Sequence, residues 1–356
     1  MLRGGHFPDA SRVRILILKP SSLGDVAQAL PVLRLLKLHF PGSQIYWWID
    51  ARLSSFLEND PDLEGVITFE RRRWASPLNW IGWCQSLRLM RSLEFDLVID
   101  LQSLARSGAF AWLANGEFTI GLDDAREGAR GFYDIAIPRP TSRPHAIEWY
   151  LDVLRYLNVP VHTRFNWMPE RADVRRRIED RWSIPGRRWV IIIPGARWAN
   201  KRWPASSFGA AVKTLGSADP ALHFAVLGTH EDDDAGCEIA EQLPQRCLNL
   251  TGKTPLQELV EWIRLGEGVI SNDTGPMHIA AGLNKPVWAL FGPTDPARTG
   301  PYGQLHRALR ITMPCAPCLR DECRNPRYME CLRALTPESV ARSIMDAAPP
   351  PAPESI

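Results

Sequence analysis

The feature that most limits what this chain can fold into is a repeated alternation of short apolar runs, turn-rich loops and helix-like stretches. Arg14-Ile15-Leu16-Ile17-Leu18-Lys19 opens the first series, and Ile45-Tyr46-Trp47-Trp48-Ile49, Val66-Ile67-Thr68-Phe69 and Leu97-Val98-Ile99-Asp100-Leu101 continue it. Runs apolar on both faces suit strands covered on both sides, and strands alternating with helices imply a parallel, doubly wound sheet. The helix after the first run places apolar residues at Val26, Leu30, Leu33 and Leu36, with Pro31 expected to kink it or shorten its first segment. The pattern restarts at Trp189-Val190-Ile191-Ile192-Ile193. It goes on through Phe224 to Gly228, Gly268 to Asp273 and Val287 to Gly292. Between the two series, Val159 to Glu170 has no clear period and reads as a linker. The chain therefore reads as two similar α/β halves facing a cleft: residues 1–165, residues 166–346, and a Pro/Ala-rich tail, 347–356, expected to be disordered.

A length of 356 residues is enough for two cores. The net charge of +2 leaves no general affinity for nucleic acid. No segment has the zones of a signal peptide, and no apolar run reaches the length of a membrane span, so a soluble, cytoplasmic protein is expected. Of 42 basic residues only six are lysine: Lys19, Lys37, Lys201, Lys213, Lys253 and Lys285. In such an arginine-rich chain each lysine draws notice, because the two cations differ in geometry and hydration. Four of the seven cysteines fall together as Cys315-x2-Cys318-x4-Cys323-x7-Cys331. In a cytoplasmic setting that spacing suits a structural tetrahedral zinc or iron, or a set of reduced thiols.

Ligands of open parallel sheets sit beyond the carboxyl ends of strands. Three loops there are rich in functional groups. Lys19-Pro20-Ser21-Ser22-Leu23-Gly24-Asp25 is neither a dinucleotide fingerprint nor a P-loop, and Asp25 at the start of a helix is either a capping carboxylate or a general base. Pro194 to Pro204 sets Arg197, Lys201 and Arg202 beside Trp198 and Trp203, either a phosphate-binding loop or a solvated one anchored by its indoles. Ser271-Asn272-Asp273-Thr274-Gly275-Pro276-Met277-His278 leaves a strand and enters a helix whose first position is expected at Pro276. A helix start with this many polar groups suits an anion, with His278 one turn in.

Together with Leu290-Phe291-Gly292-Pro293-Thr294-Asp295-Pro296, these loops resemble glycosyltransferase family 9, the ADP-heptose:lipopolysaccharide heptosyltransferases. The shared motifs are Lys-x-Ser-Ser-x-Gly-Asp-Val at Lys19 to Val26, Lys-Arg-Trp-Pro at Lys201 to Pro204 and Asn-Asp-Thr-Gly-Pro-Met-His at Asn272 to His278. The resemblance spans about residues 14–340. It implies a GT-B fold of two Rossmann-like domains, acceptor on the first and nucleotide sugar on the second. It further implies inverting transfer of heptose from ADP-heptose to a lipopolysaccharide inner-core acceptor, without a catalytic metal or other cofactor. On this resemblance Asp25 is the base. Lys201, Asp273, Thr274, Gly275 and His278 bind the donor diphosphate, and Glu231 the ribose or base. Ser22, Gly24 and Arg106 meet the acceptor, Arg71, Arg72 and Arg73 being a second candidate for it, while Arg175, Arg176 and Arg177 read as surface. Association with the inner face of the inner membrane follows from such an acceptor. Two other functions fit the same residues: a transferase using another nucleotide sugar or a protein acceptor, and a non-catalytic sugar-nucleotide-binding protein. The second would be expected to have lost Asp25 or Lys201.

Overall fold

The computed structural model describes residues 13–70, 80–124, 127–140, 145–163, 165–182, 184 and 186–347. The chain divides into two compact units, residues 1–169 and 170–356. Arg71, Arg72, Arg73 and the tail from 348 onward lie outside the described residues.

The first unit is built on β1 (Arg14–Leu18), β2 (Gln44–Asp50), β3 (Gly65–Phe69), β4 (Leu97–Asp100), β5 (Phe118–Asp123) and β6 (Ile135–Pro138). These form one sheet in the order β3-β2-β1-β4-β5-β6, and every described pairing is parallel. Strand β1 is central, and Ile15, Leu16, Ile17 and Leu18 are each fully buried, as an apolar run in a doubly covered sheet must be. Helix α1 (Leu23–His39) follows β1. Pro31 does not end it: the helix runs through as 17 residues, so the expected shortening does not occur. Helices α2 (Trp80–Ser92) and α3 (Ala105–Leu113) lead into and out of β4, and Met90, Phe110, Ala111 and Ala114 from this stretch pack on Leu16, Leu18 and Val98. Helix α4 (Ala146–Tyr156) packs against α1.

One buried ion pair anchors α1. The Arg34 guanidinium donates from both terminal nitrogens to Asp60, at 2.6 and 2.5 Å, from Nη1 to Asp62 and from Nε to the Trp167 carbonyl. Both Arg34 and Asp60 are buried. Removing one partner strands the other charge away from water, so Arg34→Ala is expected to cost about 3–5 kcal/mol. The midpoint of denaturant unfolding would read this out; a shift below about 1 kcal/mol would mean that water reaches the site.

The second unit repeats the plan with β7 (Arg188–Ile193), β8 (Leu222–Val226), β9 (Cys247–Asn249), β10 (Gly268–Asn272), β11 (Val287–Phe291) and β12 (Ala308–Arg310). Its order is β12-β11-β10-β7-β8-β9, again parallel throughout. Helix α5 (Ala205–Ala218) and the C-terminal helix α7 (Pro337–Met345) pack on each other over a core of Val190, Ile192, Phe224 and Ile270. Helix α6 (Gly275–Gly282) follows β10. The α/β class and the two Rossmann-like sheets are as expected, and the apolar runs read from the sequence all became strands. Strands β5, β6, β9 and β12 were not anticipated. Three of them are edge strands of three or four residues, too short to show a pattern, and β6 ends in Pro138, which only an edge tolerates.

Candidate active site

In each sheet the chain leaves the central strands in opposite directions, and the crevice at that reversal is where open α/β sheets bind ligands. In the second unit the reversal lies between β7 and β10. The loops beyond these strands are the two polar segments singled out in the sequence. Asn272 ties them together: its Nδ2 donates to the Pro194 carbonyl at 2.7 Å and its Oδ1 accepts the Trp203 N–H at 3.1 Å. Trp203 is itself buried, its indole donating to the Leu335 carbonyl. The loop after β7 is thus held by its tryptophan on one side and by Asn272 on the other.

That frame aims Lys201. Its Nζ donates to Asp273 Oδ2 at 2.7 Å and lies 4.5 Å from the centre of the Trp198 ring. Thr294 Oγ1 donates to the same oxygen at 2.6 Å. Asp273 is buried, whereas Lys201 keeps some access to solvent. A carboxylate alone would repel a diphosphate, so the chemistry of the pair is a positioned ammonium whose counter-charge lies behind it. Next to it Thr274 caps α6, with Gly275 first in the helix and Pro276 second, one position later than expected. A helix start presents N–H groups without partners inside the helix, and its dipole favours an anion. His278 is buried, one turn in.

Glu231 stands apart from this group. It is exposed in a short turn, His230–Asp232, beyond β8. The carboxylate that closes the loop is its neighbour. Asp232 is buried, its Oδ2 accepts the Thr229 N–H and hydroxyl at 2.9 Å each, and it fills the space beside Gly195 and Gly228. A Cβ on either glycine would come within 2.5–2.8 Å of that carboxylate, which explains glycine after both β7 and β8.

In the first unit the reversal lies between β1 and β4. The β1 loop leads into α1, where Ser22 is the cap and Asp25 the third helical residue rather than the cap itself. Asp25 Oδ2 accepts the Ser22 N–H at 2.9 Å and its hydroxyl at 2.7 Å. Gly24 between them is buried, Asp25 half-buried and Ser22 exposed. Lys19 lies beneath this loop, only 4 % exposed, donating to the Leu101 carbonyl at 2.9 Å and lying 4.8 Å from the centre of the Tyr150 ring. Burial alone lowers an ammonium's pKa, but Tyr150, Asp25 and Asp100 outweigh it and hold Lys19 above the ordinary lysine value. Asp100, at the end of β4, is pushed up by burial although Tyr133 donates to it at 2.7 Å and the Gln102 N–H at 2.8 Å. Arg106 is exposed, second in α3, on the loop side of β4.

The heptosyltransferase family model, glycosyltransferase family 9, matches residues 84–329. The chain belongs to glycosyltransferase family 9. Lipopolysaccharide heptosyltransferase 1 of Pseudomonas aeruginosa is 30% identical over 332 residues, 87% of each chain. Lipooligosaccharide heptosyltransferase 2 of Haemophilus influenzae is 28% identical over 346 residues, 92% of this chain and 96% of that one. Among solved structures, a family 9 glycosyl transferase from Veillonella parvula superposes with a TM-score of 0.82 at 24% identity, covering 96% of this chain and 98% of that one. The Escherichia coli heptosyltransferase WaaC with ADP superposes with a TM-score of 0.74 at 24% identity, covering 94% and 100%.

In this family 9 transferase the cysteine segment packs directly behind the β7 and β11 loops. Asn200, next to Lys201, donates to the Arg320 carbonyl at 2.9 Å, and the Leu319 N–H donates to Pro293, next to Thr294. Cys315, Cys318, Cys323 and Cys331 line one pocket with Asn200. Burial raises the Cys331 thiol, and the other three cysteines add to the rise. Yet among the described residues no three His, Cys, Asp or Glu side chains are grouped so as to hold a metal ion. All four cysteines are free thiols. Thr294, Lys19 and Asp232 are the residues that sequence reasoning left without a role. Each lay within or beside a quoted loop, but which side chain it would meet depends on loops brought together only by the sheet. Among the described residues no helix is long and apolar enough to cross a membrane.

Proposed function

We propose that this chain transfers a heptose unit from ADP-heptose to a lipopolysaccharide inner-core acceptor, with inversion at the anomeric carbon. The observation that carries it is the Lys201, Asp273 and Thr294 set beside the start of α6, at the switch point of the second sheet. A positioned ammonium next to helix-terminal amides is what a departing nucleoside diphosphate needs as its charge grows. The relatives named above are heptosyltransferases, and the neighbouring WaaC structure holds ADP. Asp25, at the switch point of the first sheet, takes the proton of the attacking hydroxyl. Ser22, Gly24 and Arg106 line the acceptor side, Glu231 reaches the ribose or adenine, and His278 with Thr274 and Gly275 completes the diphosphate site. Catalysis in this scheme draws on no metal. The protein works in the cytoplasm at the inner face of the membrane that carries its acceptor.

A thermal-shift series with ADP-, UDP-, GDP- and TDP-sugars tests the donor. A ligand that binds only the folded state adds about 2.7 kcal/mol of stability at a hundredfold excess over Kd. ADP-heptose is expected to raise Tm by several degrees and the other nucleotides far less. A larger shift with a UDP-, GDP- or TDP-sugar would overturn the choice of nucleotide.

A further inference from the structure

The proposed reaction leaves Lys19 unused, yet its ammonium is buried beneath the β1 loop, donating to the Leu101 carbonyl at 2.9 Å with the Tyr150 ring centre 4.8 Å away. Withdrawing an ammonium from water is costly, and this bond does not require one. Strands β1 and β4 are already paired here, the Leu101 N–H donating to the Leu18 carbonyl at 3.0 Å. An uncharged amide at position 19 could serve the Leu101 carbonyl equally well. The charge must therefore serve something else.

Burial works against the charged form, but Tyr150, Asp25 and Asp100 hold Lys19 protonated beyond the ordinary lysine range. Two of these are carboxylates, one at the start of α1 and one at the end of β4. Asp100 is fully buried and accepts the Tyr133 hydroxyl at 2.7 Å and the Gln102 N–H at 2.8 Å. Asp25 is half-buried and keeps access to solvent. Other titratable and charged groups on the surrounding elements are already engaged or held neutral. Burial raises the Tyr133 and Tyr150 phenols. Arg139, after β6, lies 4.9 Å from the Trp149 ring centre and bears on Tyr150. Asp50, whose N–H reaches the Pro20 carbonyl at 3.2 Å, is paired with Arg52 at 2.6 Å. We propose that Lys19 is a positioning residue for the base: its buried ammonium holds Asp25 as the charged carboxylate that accepts the proton of the attacking hydroxyl. This inference rests on Asp25 being the base, as proposed above. The ammonium needs no contact with substrate, since an opposite charge nearby favours the ionised form of a carboxylate. Once Asp25 has taken the proton, the same charge favours its release to water before the next turnover. Lys19 itself gives up no proton.

The pH profile of kcat/KM for heptose transfer by the full-length protein tests it. Lys19→Gln keeps a donor for Leu101 and removes the charge. Its acid limb is expected about one pH unit or more above that of wild type, because without the cation the base is protonated at higher pH. Activity on the acid side should fall about tenfold or more and recover toward the wild-type level as pH rises. Lys19→Arg keeps the charge, and its acid limb should stay at the wild-type position whatever turnover the bulkier side chain leaves. The affinity for ADP, a property of the second unit, should be unchanged in both. Added to Asp25→Asn, Lys19→Gln should change nothing further, since the group it acts on is gone. A loss in Lys19→Gln that is equal at every pH, or a further loss on top of Asp25→Asn, would make Lys19 a structural tie and overturn the proposal. An acid limb that moves up in Lys19→Arg would overturn it too. So would failure of both Lys19→Gln and Lys19→Met to fold while Lys19→Arg folds. Full turnover in Asp25→Asn would instead refute the assignment of the base, so the two failures are distinguishable.

Discussion

Asp25→Asn is expected to lower kcat for heptose transfer by about 10²- to 10⁴-fold, the range that a positioned general base supplies, while the affinity for ADP stays within about twofold of wild type. The substitution is selective because of how the carboxylate is held. Oδ2 accepts both the Ser22 N–H and the Ser22 hydroxyl. An asparagine with its carbonyl oxygen turned to Ser22 keeps both acceptors, so the start of α1 survives while the charge and the basic oxygen are lost. Asp25→Ala would in addition remove the anchor and cost about 1 kcal/mol of helix-end stability. Comparing the two variants separates chemistry from folding. Steady-state kinetics and ADP titration give the answer. If Asp25→Asn kept turnover but lost nucleotide affinity, Asp25 would belong to donor binding and the base would have to be sought elsewhere, with Asp100 a poor candidate because it is fully buried and accepts from the Tyr133 hydroxyl and the Gln102 N–H.

Much of the fold is legible in the sequence because the central strands must be apolar on both faces. Ile15 to Leu18, Ile191 to Ile193 and Val287 to Phe291 leave little else for those segments to be. The edges are not legible for the converse reason: Cys247-Leu248-Asn249 and Ala308-Leu309-Arg310 are strands because a neighbour is there to pair with them. The same division runs through the candidate site. Asp25, Lys201 and Asp273 stand out since charged residues at strand ends are costly unless used or paired. Their partners are set by topology. Thr294 meets Asp273 only because β11 lies beside β10, and Lys19 meets Leu101 only because β1 pairs with β4. Glu231 and Asp232 show the limit at single-residue resolution. Two adjacent carboxylates read alike in sequence, and the turn after β8 buries one to hold Thr229 and leaves the other outward.

The second large effect is expected at Lys201. Lys201→Met should weaken ADP-heptose binding roughly 10- to 150-fold, the range for losing a hydrogen bond to a charged group, with a smaller change in kcat. Two effects add up in that number. The ammonium that meets the diphosphate is gone, and Asp273 is left buried with the Thr294 hydroxyl donating to it, its negative charge uncovered toward the donor. A second substitution isolates the repulsion. Asp273→Asn keeps an acceptor for Thr294 and removes the charge, so the Lys201→Met, Asp273→Asn double variant should bind donor more tightly than Lys201→Met alone, and the two effects should fail to add. Asp273→Asn by itself should weaken binding less than Lys201→Met, because the ammonium remains while only its aim is loosened. Donor Kd values for the four proteins decide it. Strict additivity would mean that Asp273 contacts the donor in its own right, and an unchanged Kd in Lys201→Met would remove Lys201 from the diphosphate site.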